Sequence, residues 1–139
     1  MTYSDLVNYF KNKSLLVNAN GTFIHGKKPD ASLLSSSVDF PLIWVAPFRE
    51  STDRIKGNIN RQITIAFFDQ DSPNKTLDER QALIQGMWAL KEAFMVSINN
   101  DLPRVLSTAN ESATPEYSQL AGTVSGYAIS FNIQSKIPC

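Results

Sequence analysis

Apolar side chains recur at helical spacing near the start of the chain. Leu6, Val7 and Phe10 fall on one face of a helix drawn from Tyr3 to Lys13. This spacing predicts a short amphipathic helix that packs its apolar face on the rest of the protein.

A second, longer helical pattern begins at a capping box. Thr76-Leu77-Asp78-Glu79 has a threonine at the N-cap and a glutamate three residues later, so each side chain can bond the other residue's backbone amide. The predicted helix runs from about Leu77 to Ile98 and is stopped by Asn99 to Pro103. Its apolar face is wide enough to pack on a sheet and consists of Leu83, Ile84, Met87, Trp88, Leu90, Phe94, Met95 and Ile98.

Three other segments have the pattern of strands. Phe40 to Phe48 is almost continuously apolar and predicts a buried strand, with Pro41 and Pro47 near its ends. Ile63 to Phe68 predicts a second strand. Ser125 to Gln134 predicts a third, in which apolar and polar residues alternate. That alternation is typical of an antiparallel strand with one face on the core and the other in water.

Polar segments in the first third of the chain predict turns. Asn18-Ala19-Asn20-Gly21 lies between the apolar runs Leu15–Val17 and Thr22–His25, which predicts a β-hairpin. Lys27 to Ser37 predicts a loop, with a short helical turn at Ala31 to Leu34.

The later polar segments connect the main elements. Arg49 to Asn60 is expected to be a loop or the arm of a hairpin. Val105 to Ser107 predicts a short strand, and Asn110 to Gln119 a polar connection. The glycines of Gly122 to Gly126 are interpreted as a turn or bulge that opens the last strand.

Together these elements predict a single domain, residues 1–139, of the α+β class. The expected architecture is a mostly antiparallel β-sheet packed on one face by the long amphipathic helix, plus a short N-terminal helix. A length of 139 residues suits one ordinary domain, and 42% apolar residues can form a core.

Charge and rare residues exclude several functions. Thirteen basic and thirteen acidic residues cancel, whereas a protein that grips nucleic acid phosphates carries a cationic surplus. One histidine and one cysteine are too few for the usual zinc site or for a disulfide within the chain. Neither a secretory signal nor a membrane-spanning run is visible, so a protein made in a cytoplasm is expected.

Asp69 and Asp71 are the strongest candidates for chemistry, because Asp-x-Asp after a strand is how metal-dependent glycosyltransferases hold a divalent cation. The chain is too short for the nucleotide-binding domain of such an enzyme. A calcium loop also fails, since Asn74 and Arg80 stand where glycine and glutamate are needed. The two carboxylates are therefore interpreted as turn residues in a solvated loop.

The remaining candidates are interpreted as ordinary surface residues. His25 has no partner that the sequence can identify, and Cys139 is read as an incidental free thiol. Lys27-Lys28 and Arg49 to Arg61 are the basic concentrations, and both are read as solvated loops. No catalytic, cofactor or metal site is assigned.

The order of these elements resembles that of the tail terminator, or tail completion, family of tailed bacteriophages. Asp39 to Val45 resembles the first main strand of that family. Ile63 to Asp69 resembles the second, which the amphipathic helix from Leu77 follows. Leu120 to Phe131 resembles the closing strands, so the resemblance covers nearly the whole chain.

The resemblance implies a virion structural protein without enzymatic activity or cofactor. Such proteins form hexameric rings at the top of the tail tube, where tail and neck join. The implied partners are copies of the chain itself, the tail tube protein and neck or head-completion proteins. DNA would pass through the lumen without specific binding, and no membrane is involved. The family has no catalytic signature, so no site residue is carried over.

Three readings stay open at this point. The first is a tail terminator or a related neck, head–tail joining component of the virion, made in the bacterial host cytoplasm. The second is a small intracellular binding or adaptor domain of the same fold class. The third is a divalent-metal-dependent enzyme that uses Asp69 and Asp71.

Overall fold

The computed structural model describes residues 2–27, 39–72, 74–101, 107–118 and 124–136. Within these ranges the chain forms two helices and six strands. They are α1 (Tyr3–Val17), β1 (Thr22–His25), β2 (Leu42–Val45), β3 (Arg49–Asp53), β4 (Asn58–Gln70), α2 (Leu77–Asn99), β5 (Ser107–Ser118) and β6 (Val124–Lys136).

The strands form one sheet in the order β1-β2-β4-β6-β5. β4 pairs with β6 along its whole length. On its other side β4 pairs with β3 over its first part and with β2 over its last part. Every pairing is antiparallel except that of β1 with β2. The predicted α+β class and the mostly antiparallel sheet are confirmed.

Both helices belong to the main core, which lies on one face of the sheet. The sheet side of this core consists of alternate residues of β2, β4 and β6, as the sequence pattern predicts. Phe10 of α1 and Phe94 of α2 meet there, with ring centroids 6.2 Å apart. The fully buried members are Leu6, Phe10, Ile43, Val45, Ile63, Ile65, Phe67, Phe94, Ile98 and Ile133.

The opposite face of the sheet is partly polar. A small cluster of Leu42, Ala66, Phe68 and Val124 is buried there. Beyond it, Thr64 and Ser130 face each other with hydroxyl oxygens 3.2 Å apart. The predicted alternation of the last strand is confirmed, because Ile129, Phe131 and Ile133 are buried while their polar neighbours are partly exposed.

The predicted hairpin around Asn18 to Gly21 is wrong. Helix α1 continues to Val17, with Leu16 72% exposed, and β1 pairs in parallel with β2. The turn instead ends the helix. The Asn18 side chain holds this turn in place by donating to the Pro41 carbonyl at 2.8 Å. Gly21 is required because a Cβ there would lie 2.2 Å from the same carbonyl oxygen.

The polar segment Asn110 to Gln119 is also not a simple connection, because its described part belongs to β5. β5 is the last strand of the sheet, and residues 111–115 are exposed. A strand whose side chains are this exposed to water needs no alternation of apolar residues, which is why its sequence resembles that of a loop. The predicted loop at 28–37, including its helical turn, and Val105 with Leu106 lie outside the described residues.

Two other predictions change in detail. Arg49 to Asn60 adopts the hairpin alternative, with β3 and the start of β4 joined through a turn at residues 54–57. Gly126 does not open the last strand but lies inside β6, opposite Phe68. A Cβ on Gly126 would stand 1.7 Å from the Phe67 carbonyl oxygen, so the close approach of β4 and β6 requires glycine.

The long helix begins at the predicted capping box. The Thr76 hydroxyl accepts from the Glu79 amide at 3.2 Å, and the Glu79 carboxylate accepts from the Thr76 amide. The prediction that Trp88 belongs to the buried apolar face of this helix is wrong, because Trp88 is 40% exposed and Lys91 is buried instead. The Lys91 ammonium lies between the rings of Trp88 and Tyr127 and is 2.6 Å from the Glu92 carboxylate, which together offset its burial.

Candidate functional site

Asp69 and Asp71 lie where β4 ends and the chain turns towards α2. An open cleft of about 420 Å³ borders this turn and is lined by Asp69, Gln70, Asp71, Ser72 and Lys75. Asp69 is partly exposed, and its carboxylate accepts from the Gln70 amide at 2.8 Å. The Asp69 interaction is that of an ordinary turn residue, as the sequence suggests.

The Asp71 carboxylate is buried and is surrounded by three hydrogen-bond donors. It accepts from the Arg80 guanidinium at 3.0 Å, from the Ser125 hydroxyl at 2.5 Å and from the Ser72 amide at 2.7 Å. Burial alone would raise the pKa of Asp71, but the hydrogen bonds from Ser125, Arg80 and Ser72 outweigh it and hold the pKa below its ordinary value. Asp71 is therefore an ionised anchor.

This arrangement joins the first turn of α2 to the start of β6 through one carboxylate. A cation at Asp71 would have to compete with Arg80 for the same oxygens. In the described ranges, no three His, Cys, Asp or Glu side chains are grouped so that they could hold a metal ion. The geometry assigns Asp71 a positioning role in the fold.

His25 is likewise engaged by its surroundings. Its Nδ1 lies 3.0 Å from the Val45 carbonyl, and its Nε2 lies 3.0 Å from the Tyr3 hydroxyl. The ring also packs against Phe48 at 5.1 Å between centroids. His25 thus ties α1 to the first strands of the sheet. Cys139, the other candidate nucleophile, lies outside the described residues.

In the described sheet β1, β3 and β5 each pair with one other strand only, and the side chains of β3 and β5 are more exposed than those of β1. All side chains of β3 except Asp53 are exposed, and so are residues 111–115 of β5. Among the described residues, β3 pairs only with β4 and β5 pairs only with β6. On the outer side of each of these two strands, the described part of the chain supplies no pairing strand.

The β3–β4 hairpin, residues 49–62, ends in an unusual tip. Ile55 is 99% exposed, between Arg54 and Lys56. The turn is ordered, because the Asp53 carboxylate accepts from the amides of Ile55 and Lys56 at 3.1 Å each. Below it, Arg61 and Glu50 form an ion pair across the two strands at 3.5 Å. The hairpin therefore holds an apolar side chain out in solvent on a defined turn.

The two exposed edges differ in charge. β5 carries Glu111 and Glu116 and no lysine or arginine. The hairpin carries four basic residues (Arg49, Arg54, Lys56 and Arg61) against two acidic ones (Glu50 and Asp53), a net charge of +2. β5 is consequently acidic, and the basic surplus of the hairpin lies in its turn and in β4 and not in β3 itself.

The sequence showed the basic concentration from Arg49 to Arg61 but was interpreted there as a solvated loop, and the tip of the hairpin and the β5 edge were missed. One signal was present: Ile55 is the lone apolar residue between Arg49 and Gly57. No comparable signal exists for the β5 edge, because its pairing partner is chosen by the whole sheet.

No protein-family model matches the chain, and no curated protein matches it. In the described part of the chain, neither helix is both long and apolar enough to cross a membrane.

Proposed function

We propose that the protein is a structural subunit that assembles with copies of itself into a closed ring, in the manner of a phage tail terminator or neck component. The observation that carries the proposal is the pair of sheet edges at the β3–β4 hairpin and at β5, which differ in sequence, because β5 carries no lysine or arginine whereas the turn of the hairpin carries Arg54 and Lys56. Contacts between two different surfaces of identical subunits are heterologous, and they close into a ring when the rotation allows it.

The order of elements supports the same proposal. A short helix, a buried strand, a strand leading into a long amphipathic helix and a closing alternating strand occur in the order that carries the resemblance. Two features differ from the elements predicted from the sequence. β1 pairs in parallel with β2 and does not form a hairpin, and the polar connection before β4 contains the strand β3.

The charge of the chain is compatible with passage of DNA through the ring. Thirteen basic and thirteen acidic residues give no net attraction for phosphates, so DNA would slide through the lumen without being held. The proposed partners are the neighbouring copies, a tail tube protein and neck or head-completion proteins, and the proposed location is the virion.

Electron microscopy of the purified protein tests the proposal. Rings of uniform diameter with a central opening are expected at micromolar concentration, whereas globular particles of single-subunit size would contradict it. The genes beside that of this protein give an independent test. Portal, head-completion and tail tube genes are expected there, and genes for signalling or metabolic proteins would favour the adaptor reading.

The enzyme reading has no comparable support. It requires Asp69 and Asp71 to share a cation, whereas the Asp71 carboxylate already accepts three hydrogen bonds. We therefore propose a role without catalysis or cofactor.

A further inference from the structure

We propose that neighbouring copies join by strand pairing, with β3 of one copy adding to β5 of the next to form a sheet that continues around the ring. The inference rests on the proposed function, because it names the contact that closes the ring. The occupant of each exposed edge is thus a second copy of this chain.

The first argument is the availability of hydrogen-bonding groups. β3 is a 5-residue strand and β5 a 12-residue strand, and each is the outermost strand at its part of the described sheet. Their outer amides and carbonyls can pair with another strand in the way that edge strands accept added peptides. A bulge between Ala109 and Ser112 divides β5 into two paired segments.

The second argument is strand direction. β3 and β6 run one way, and β4 and β5 run the other, because each successive pairing is antiparallel. In a ring whose axis lies roughly along the strands, rotation from one copy to the next keeps these directions. In that ring the β3 of the next copy meets β5 in the antiparallel sense, and the pattern of the sheet continues across the contact.

The third argument is charge complementarity. Arg49, Arg54 and Lys56 of the β3–β4 hairpin would face a strand that contains Glu111 and Glu116 and no cation. A contact of β5 with β5 would set the acidic side chains of two copies against each other, whereas an antiparallel contact of β3 with β3 would place Arg49 opposite Asp53 and is not opposed by charge. The charges therefore disfavour pairing of β5 with itself and favour pairing of β5 with the hairpin, whose turn is basic.

The tip of the hairpin supplies the fourth argument. Ile55 is 99% exposed in the isolated chain, and the Asp53 carboxylate fixes the turn that carries it. When β3 adds to the neighbour, the tip extends along the neighbour's sheet edge, where Ile55 would leave water. We expect Ile55→Ser to raise the concentration needed for half-assembly about tenfold, the order expected for loss of one buried aliphatic side chain.

Charge reversal tests the contact directly. Glu111→Lys and Lys56→Glu should each raise the concentration for half-assembly about fivefold, and combining them should recover much of the loss. Gln85→Lys, at an exposed position on α2, is the matched control and should leave assembly unchanged. Equal effects of Glu111→Lys and Gln85→Lys, or no recovery in the combined variant, would overturn the inference.

Disulfide trapping gives the second test. In a Cys139→Ser background, Thr52→Cys is combined in turn with a cysteine at 111, 112, 113 or 114. Oxidation should produce a ladder of linked chains in at least one pair. Within one copy the two edges are separated by β4 and β6, about 14 Å at ordinary strand spacing, which is too far for a disulfide. The control pair, Thr52→Cys with Gln85→Cys, should give no ladder.

The outcomes separate this inference from the proposed function. Wild-type rings without any ladder in the four pairs would overturn the strand pairing and leave the ring standing, with another surface or partner at the edges. A wild-type protein that stays monomeric would overturn both.

Discussion

At the scale of single residues, Asp71 connects three parts of the described structure through one carboxylate. Its carboxylate accepts hydrogen bonds from Ser72, Arg80 and Ser125, and its side chain is fully buried. The group therefore links the turn after β4 to both α2 and β6. A buried, ionised carboxylate is stabilising only while its partners are present.

Asp71→Asn should lower the free energy of unfolding by about 2 kcal/mol, because the amide loses the ionic part of the contact with Arg80. Urea unfolding followed by circular dichroism measures the change. Asp69→Asn is the matched control two residues away, and since Asp69 is partly exposed we expect less than about 0.5 kcal/mol. Equal effects of the two substitutions would contradict the anchoring role of Asp71.

The same carboxylate predicts how stability depends on pH. The folded-state pKa of Asp71 lies below its ordinary value of 3.8, so folding favours the ionised form. Its contribution is present above pH 3.8 and is lost as the pH falls through the lower folded-state pKa. Between pH 6 and pH 2, the free energy of unfolding should fall less in Asp71→Asn than in the wild type. An identical fall in both proteins would contradict the assignment of Asp71 as an ionised, stabilising group.

A metal at this turn would have a distinct signature. If Asp69 and Asp71 held a cation, added magnesium, manganese or calcium would raise the melting temperature of the wild type. We expect no change with any of the three, because the Asp71 oxygens are already occupied by hydrogen bonds. A rise abolished by Asp69→Asn with Asp71→Asn would contradict this expectation and restore the enzyme reading.

At the scale of elements, local signals predicted α2 and the buried strands well. The capping box at Thr76 is contained in four residues, and the spacing from Leu83 to Ile98 is a property of the helix alone. The exposure of Trp88 was not predictable, because it depends on Lys91, which the helical periodicity places outside the apolar face, and on Tyr127, which lies in β6. Burial of Lys91 requires aromatic rings from two different elements.

β1 and β5 were mispredicted for a related reason. Asn-Gly at residues 20 and 21 is a hairpin signal, yet the partner of β1 is β2, about twenty residues later. β5 has few apolar residues, and its residues 111–115 are exposed to water. Strand partners are chosen by the entire sheet, so a local pattern cannot identify them.

Substitution of two glycines by alanine tests how the elements pack, and the expected changes in stability have opposite signs. Gly126→Ala would place a Cβ 1.7 Å from the Phe67 carbonyl, so strands β4 and β6 must separate locally and stability should fall by roughly 2 kcal/mol or more. Gly86→Ala, on the exposed side of α2 with no atom near the new Cβ, should raise stability by about 0.5–1 kcal/mol. Thermal unfolding distinguishes them, and equal shifts would contradict the packing described.

At the scale of the whole molecule, the candidate site was only partly predictable. The hairpin segment and the two aspartates are visible in the sequence, and the structure separates their roles. The acidic β5 edge could not be predicted from the sequence, because only the order of strands in the sheet places Glu111 and Glu116 at the edge opposite the basic hairpin. A zero net charge thus conceals an uneven distribution between the two edges.

This distribution predicts a salt effect on assembly. Raising sodium chloride from about 0.05 to 0.5 M shortens the screening length severalfold, so attraction between the acidic and basic edges should weaken. Sedimentation velocity should show a severalfold higher concentration for half-assembly. Glu111→Lys should respond in the opposite direction, because salt then screens a repulsion. The same salt response in both proteins would contradict edge complementarity.

Native mass spectrometry measures whether the protein assembles into a closed ring. At micromolar concentration and low salt, we expect one dominant species whose mass is a fixed multiple of the 15.5 kDa chain, with six copies expected from the family resemblance. A protein that stays at 15.5 kDa across the whole concentration range, or forms an open series of masses without a preferred multiple, would contradict it.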